Sequence, residues 1–211
     1  MRTTVAVLAL ACVACAPIAG APQPDPASEV LVSIDDMPDG FGPVPEDDTE
    51  PLRFNPVECK DFMGLPKPVE ARMFKVIGVG NGSRITIKVG EVEPDEYDVA
   101  DFEDFFARCP VVTVGDFRSG AALTAQEYDV PIDAPTYGSR ADVIVEAPAD
   151  QAYSYGLVVA ARVDSMMLTA QLLQTGPADL PDPPPDPDLV PYRQEFIDLV
   201  NLQVDRIEQR G

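Results

Sequence analysis

Alternation and helical spacing of apolar residues divide most of the chain into short elements. Residues 72–79 and 84–92 are runs of β-formers on either side of Gly80-Asn81-Gly82. In the second run Ile85, Ile87 and Val89 alternate with Arg84, Thr86 and Lys88, so one face of that strand is buried and the other wet. Asn-Gly between two such runs is a strong hairpin signal, because both turn residues tolerate positive φ. Residues 98–108 predict a helix: Asp98 can cap it, and Val99, Phe102, Phe105 and Phe106 recur at helical spacing. Strands follow at 111–115, 121–130, 141–146 and 155–163, and a fifth at 165–173 after a tight turn at Asp164. Hairpin-like intervals between them predict mostly antiparallel pairing.

The two ends of this core are helical. Residues 27–36 predict a short helix with Ser28 as N-cap and Glu29 in the first turn, stopped by Met37-Pro38-Asp39-Gly40-Phe41. Residues 42–57 read as acidic, proline-rich loop, and 59–64 as one further helical turn. At the other end Leu189, Tyr192, Phe196, Leu199, Val200, Val204 and Ile207 form an apolar stripe, predicting an amphipathic helix over 188–209 that docks on the sheet. The proline-rich stretch 177–187 joins it to the last strand as a semi-rigid spacer. The fold expected is α+β: a six- or seven-stranded, mostly antiparallel sheet flanked by two main helices.

The first residues follow a different logic. Arg2 precedes an apolar run from Val5 to Ala14, too short for a membrane span, which needs about 20 residues. Cys15 follows directly after Ala14, which suits processing that acylates the cysteine and makes it the new N-terminus. Cys12 is the alternative lipidation site, and its preceding residues fit less well. Residues 1–14 are thus read as a signal peptide, 15–27 as a lipidated cysteine and Pro/Ala-rich tether, and 28–211 as one domain. The location expected is the outer face of the cell membrane; the alternative is plain secretion.

Charge and composition then narrow the function. The formal net charge of −21 excludes a phosphate-binding surface, so no nucleic-acid partner is expected. It also leaves acyl chains, rather than electrostatics, to hold the protein at an anionic membrane. The chain has no histidine, which removes Ser-His-Asp and Cys-His catalysis, His-ligated zinc and haem held by His. Cys59 and Cys109 form an even pair in an oxidising compartment and are read as a disulfide. Closing that loop is worth about 4 kcal/mol in the chain-entropy model. A catalytic thiol is the alternative, and it lacks a His partner.

Other motifs yield little chemistry. Gly78-Val79-Gly80-Asn81-Gly82 opens a strand, whereas a dinucleotide loop opens a helix, so it is a turn. Asp35, Asp39, Gly40 and Glu46 fit places one, five, six and twelve of a calcium loop, but Met37 and Pro38 interrupt the ligand set. With 36 acidic residues, two in proximity say nothing about a hydrolytic carboxylate pair. Tyr128, Tyr137, Tyr153 and Tyr155 lie on or beside the central strands and read as core or sheet surface. No cofactor or metal is expected.

A family pattern emerges from Ile34-Asp35-Asp36-Met37-Pro38-Asp39-Gly40-Phe41, Pro56-Val57-Glu58-Cys59, Phe105-Phe106-Ala107-Arg108-Cys109-Pro110, Val159-Ala160-Ala161-Arg162-Val163-Asp164 and the Gln203–Ile207 helix end. Together with the acylation signal it resembles the small exported lipoproteins of mycobacteria and related actinomycetes. Their domain is similar to the extracellular sensor domain of mycobacterial receptor Ser/Thr kinases. The resemblance spans 28–209 and implies a helix-flanked sheet with a cleft and a role in envelope sensing or binding. Those kinase sensors typically carry two disulfides, and this chain has cysteines for one.

The function expected is therefore a lipid-anchored, monomeric, non-enzymatic envelope lipoprotein that binds an envelope ligand or protein partner. Such a protein needs a pocket lined by apolar side chains and Tyr between sheet and helices. A secreted protein-interaction module without a pocket, and a His-free carboxylate hydrolase, are the alternatives.

Overall fold

The computed structural model describes residues 25–44, 54–55, 59, 65–114, 121–146, 153–176 and 186–210. The signal peptide, Cys12, Cys15, most of the tether and nearly all of the proline-rich connection lie outside these residues.

An antiparallel sheet forms the middle layer. Its order is β1 (Gly42–Pro43), β3 (Phe74–Gly80), β4 (Ser83–Glu91), β9 (Met166–Gly176), β8 (Tyr153–Val163), β7 (Thr136–Glu146), β6 (Ala121–Glu127), β5 (Val111–Val114) and β2 (Phe54–Asn55). Seven strands carry the sheet, and the two outermost, β1 and β2, are two-residue edge strands. The β3–β4 hairpin and the β5–β9 meander join along β4 and β9, where Ser83–Glu91 pairs with residues 166–174.

Period-two burial sends alternate residues of each central strand into different cores. Leu157, Val159, Ala161 and Val163 of β8 meet α1 (Pro26–Val30) and α4 (Arg193–Glu208) on one face. Val158 and Ala160 meet α2 (Lys67–Glu70) and α3 (Val99–Arg108) on the other. The two main helices therefore cover opposite faces, making three layers.

Local chemistry explains each boundary. Asn81 and Gly82 both have positive φ, 50° and 77°, and Gly80 pairs with Ser83, so the hairpin turns in two residues as its Asn-Gly requires. Asp98 accepts from the Val99 N–H at 2.8 Å, and Asp101 returns to the Asp98 N–H at 2.7 Å, closing a capping box. Two expected boundaries move. Asp25, not Ser28, caps α1, its carboxylate accepting from the Ala27 N–H at 2.9 Å while Pro26 takes the first helical position. The last helix starts at Arg193 rather than 188: Pro187–Leu189 makes a 3-10 turn, and Tyr192 sits in the left-handed region at φ 62°. Strand β7 also begins earlier than the expected 141, at Thr136, so Gly138 is a strand residue.

Long-range polar ties lock α4 to the start of the domain. Gln203 is fully buried; its Oε1 accepts from the Val32 N–H and its Nε2 donates to the Val30 carbonyl at 3.0 Å. Arg206 pairs with Asp36 at 2.9 Å, and Arg210 with Glu29 at 2.9 Å.

Candidate functional site

An open concavity lies on the α3 face of the sheet, where the helix stands over the ends of β6 and β7. It is an open cleft of about 1010 Å³. Phe102, Glu103, Phe106 and Ala107 form the helix wall, with Pro110 just beyond; residues 125–129 and 137–140 form the other side.

Three features of the sequence shape it. Gly138 lets α3 come close: a Cβ there would stand 3.2 Å from the Phe102 ring. Phe106 is half-buried and packs edge-on to Phe102, with ring centroids 4.1 Å apart. The Cys59–Cys109 disulfide, with Cα atoms 5.9 Å apart, sits buried beside Phe105 and Phe106 at the end of α3. The expected crosslink thus braces the helix wall of the cleft. At the other end of α3, Arg162 from β8 donates to Asp98 at 2.8 Å, to the Val92 carbonyl at 2.8 Å and to the Tyr97 carbonyl at 2.6 Å. Burial opposes ionisation of Asp98, but the Arg162 hydrogen bond, the Val99 N–H and the guanidinium charge outweigh it and hold its carboxyl below the ordinary value.

Arg140, in the cleft lining, forms a buried charge pair with Asp142. Arg140 lies with its guanidinium carbon 3.6 Å from the Phe106 ring centroid, and its Nε is 3.0 Å from the Asp142 carboxylate. Both side chains are about 95% shielded, at 4% and 5% exposure. Burial pushes the Asp142 carboxyl up against the pull of Arg140, and burial likewise lowers Arg140. The i, i+2 spacing of Arg140 and Asp142 was the available signal, since it places both on one face of a strand.

Tyr128 and Tyr137 stand at the sheet end of the cleft, but both pack against the core on the α4 side. The Tyr128 hydroxyl donates to Asp188 and accepts from Arg193 Nε at 3.0 Å; Tyr137 donates to Asp129 at 2.9 Å. Burial and the Asp188 bond raise the Tyr128 phenol, and the Asp129 bond raises Tyr137. Tyr153 and Tyr155 lie in β8, at positions whose side chains are not described. Among the described residues no cluster of His, Cys, Asp and Glu suited to a metal occurs, and no helix is long and apolar enough to cross a membrane.

The domain is thus a disulfide-braced, three-layer α+β domain with an open cleft at one side of its sheet. No family model and no curated protein matches the chain. Among solved structures, the extracellular domain of PknH from Mycobacterium tuberculosis matches at a TM-score of 0.53 and 13% identity, covering 87% of this chain and 95% of that one. At this identity the likeness is one of fold. An uncharacterized protein from Mycobacterium smegmatis, the Rv0999 ortholog, matches at a TM-score of 0.36 and 14% identity, over 78% of each chain.

Proposed function

We propose that this protein is an exported, lipid-anchored, sensor-like binding domain whose ligand enters the cleft between α3 and the β6–β7 ends. The observation that carries the reading is that cleft, of about 1010 Å³, in a fold shared with the extracellular domain of PknH. Phe102, Phe106 and Ala107 give the cleft an apolar wall, and Glu103, Gln126, Glu127, Asp129, Ser139 and Arg140 supply polar groups that could orient a ligand. The N-terminal sequence supports the anchor: the signal read over 1–14 leads directly into Cys15, and Asp25, about ten residues on, caps the first helix. A hydrolase would need two facing buried acids, whereas the buried Asp142 faces the guanidinium of Arg140.

Native mass spectrometry of the protein purified from its own membrane tests both parts. The expected spectrum shows a diacylglyceryl mass on Cys15 and a retained non-covalent mass that the Phe106→Ala variant loses. An unprocessed N-terminus overturns the anchor, and a retained mass indifferent to Phe106→Ala and Glu103→Arg overturns the cleft.

A further inference from the structure

Among the described residues, the end of β6 beside the cleft is an open sheet edge. Strand β5 pairs with β6 only as far as Val111 opposite Thr124. One residue further, the Ala125 N–H donates to the Pro110 carbonyl at 3.0 Å. There the chain turns away, because Pro110 follows Cys109 at the end of α3. Strand β6 itself runs on to Glu127, pairing with β7 through Gln126 opposite Ala141 and Glu127 opposite Arg140. Backbone groups alternate in direction along a strand, and Ala125 points its N–H outward, so Glu127 points the same way. Among the described residues no strand lies along that side of Glu127.

The space beside this edge is the cleft, roofed by Glu103, Phe106 and Ala107. A helix standing over an open strand edge is the arrangement in which extended peptides bind by adding a strand. We infer that the cleft receives an extended, basic peptide segment, which continues the line of β5 antiparallel to β6 and places a Lys or Arg opposite Glu127. This deepens the ligand-binding reading proposed above and rests on it.

Register and charge fix the chemistry. Glu127 lies opposite Arg140, so its side chain shares the α3 face of the sheet. A peptide residue opposite Glu127 would project onto that same face, between Glu127 and Glu103. Its methylene stem would lie along Phe106 and its charged head would reach the carboxylates, as long basic side chains do on apolar surfaces. Arg140 does not oppose this cation, because Asp142 neutralises it. Glu103, Glu127 and Asp129 then leave the lining acidic, within a chain of net charge −21. Among the described residues edge strand β3 is also partly open, since β1 pairs with Gly78 and Val79, but Lys75 guards it.

The test uses residues 16–211 with the disulfide intact, ¹⁵N-labelled, and three synthetic peptides. The first is acetyl-Val-Thr-Val-Lys-Val-Thr-Val-amide; the second carries Glu for Lys; the third carries N-methyl-Lys, which cannot donate its backbone N–H. The first peptide should shift the amides of residues 125–129 and slow hydrogen exchange at Glu127. Methylation, charge reversal and the Glu127→Gln variant should each weaken binding about tenfold, the loss expected for one hydrogen bond or close charge pair. If the methylated peptide binds equally well at the same amides, strand addition is overturned while the cleft remains a ligand site. If the cleft amides respond to none of the peptides at millimolar concentration, the peptide class is overturned, and a cleft still emptied by Phe106→Ala in native spectra keeps the broader reading.

Discussion

Gln203, buried in α4, accepts a hydrogen bond from the backbone N–H of Val32, a residue 171 positions earlier, at 2.8 Å. Its amide nitrogen holds the Val30 carbonyl as well, so one side chain satisfies both backbone groups at the exit of α1. This contact joins the first helix to the last.

Removing that amide leaves the Val32 N–H and the Val30 carbonyl buried without it. Gln203→Ala should destabilise the domain by about 2–4 kcal/mol, from two lost hydrogen bonds and a small cavity. Urea unfolding measures it, and the midpoint should fall without a change in slope.

The Arg140–Asp142 pair makes an opposite pair of predictions. Arg140→Met leaves a buried carboxylate without its guanidinium and should cost about 3–5 kcal/mol. Replacing both by Met and Leu should restore most of that stability. A double-mutant cycle in guanidinium chloride checks both, and a double variant as unstable as the single one would count against the pairing.

Asp98 and Asp142 give stability a pH dependence of two signs. Asp98 has a lowered folded-state pKa, so its contribution is complete above its ordinary value of 3.8 and is lost as pH falls below it. Asp142 has a raised pKa, so its protonated form is favoured in the fold and its effect grows as pH falls toward 3.8. Asp98→Asn should flatten the acid loss of stability, and Asp142→Asn should steepen it. Thermal melts from pH 3 to pH 7 measure the two slopes.

The disulfide closes a loop spanning 50 positions, and its removal should cost about 4 kcal/mol by the chain-entropy argument. Because Cys59 and Cys109 pack beside Phe105 and Phe106, the loss should concentrate at α3. Hydrogen exchange of Cys59→Ser/Cys109→Ser should therefore rise in residues 99–109 more than in α4.

Gly138 offers a direct handle on the cleft wall. An Ala there pushes its Cβ to 3.2 Å from Phe102 and to 3.3 Å from Val99, so Gly138→Ala should cost about 1–3 kcal/mol through overpacking. Tyr137 beside it should keep its bond to Asp129, because its side chain lies on the other face.

Much of this fold was legible because its signals are local. Asn81-Gly82 specifies a two-residue turn, Asp98 and Asp101 specify a helix start, and Ile85, Ile87 and Val89 specify a buried strand face. Misreadings came from residues with two uses. The strand expected over 141–146 starts at Thr136, and Gly138 within it serves helix packing. Ser28 looked like a cap, but Asp25 stood one residue before a proline that favours the first helical position. Pro191 was absorbed into a helical stripe that it interrupts.

The candidate site was hardly legible. The family resemblance implied a cleft, but which face each tyrosine takes depends on strand register. Tyr128 and Tyr137 turned to the α4 side, and Arg140 with Asp142 took the cleft side.

The sequence by itself determined the elements, the antiparallel pairing, the crosslink and the acidic character, because propensity, turn chemistry and composition act over a few neighbouring residues. The tertiary structure alone decided that α3 and α4 cover opposite faces, that β6 outruns β5, and that a cleft opens beside Glu127. Those outcomes depend on register and on contacts between residues far apart in the chain, which no local pattern encodes.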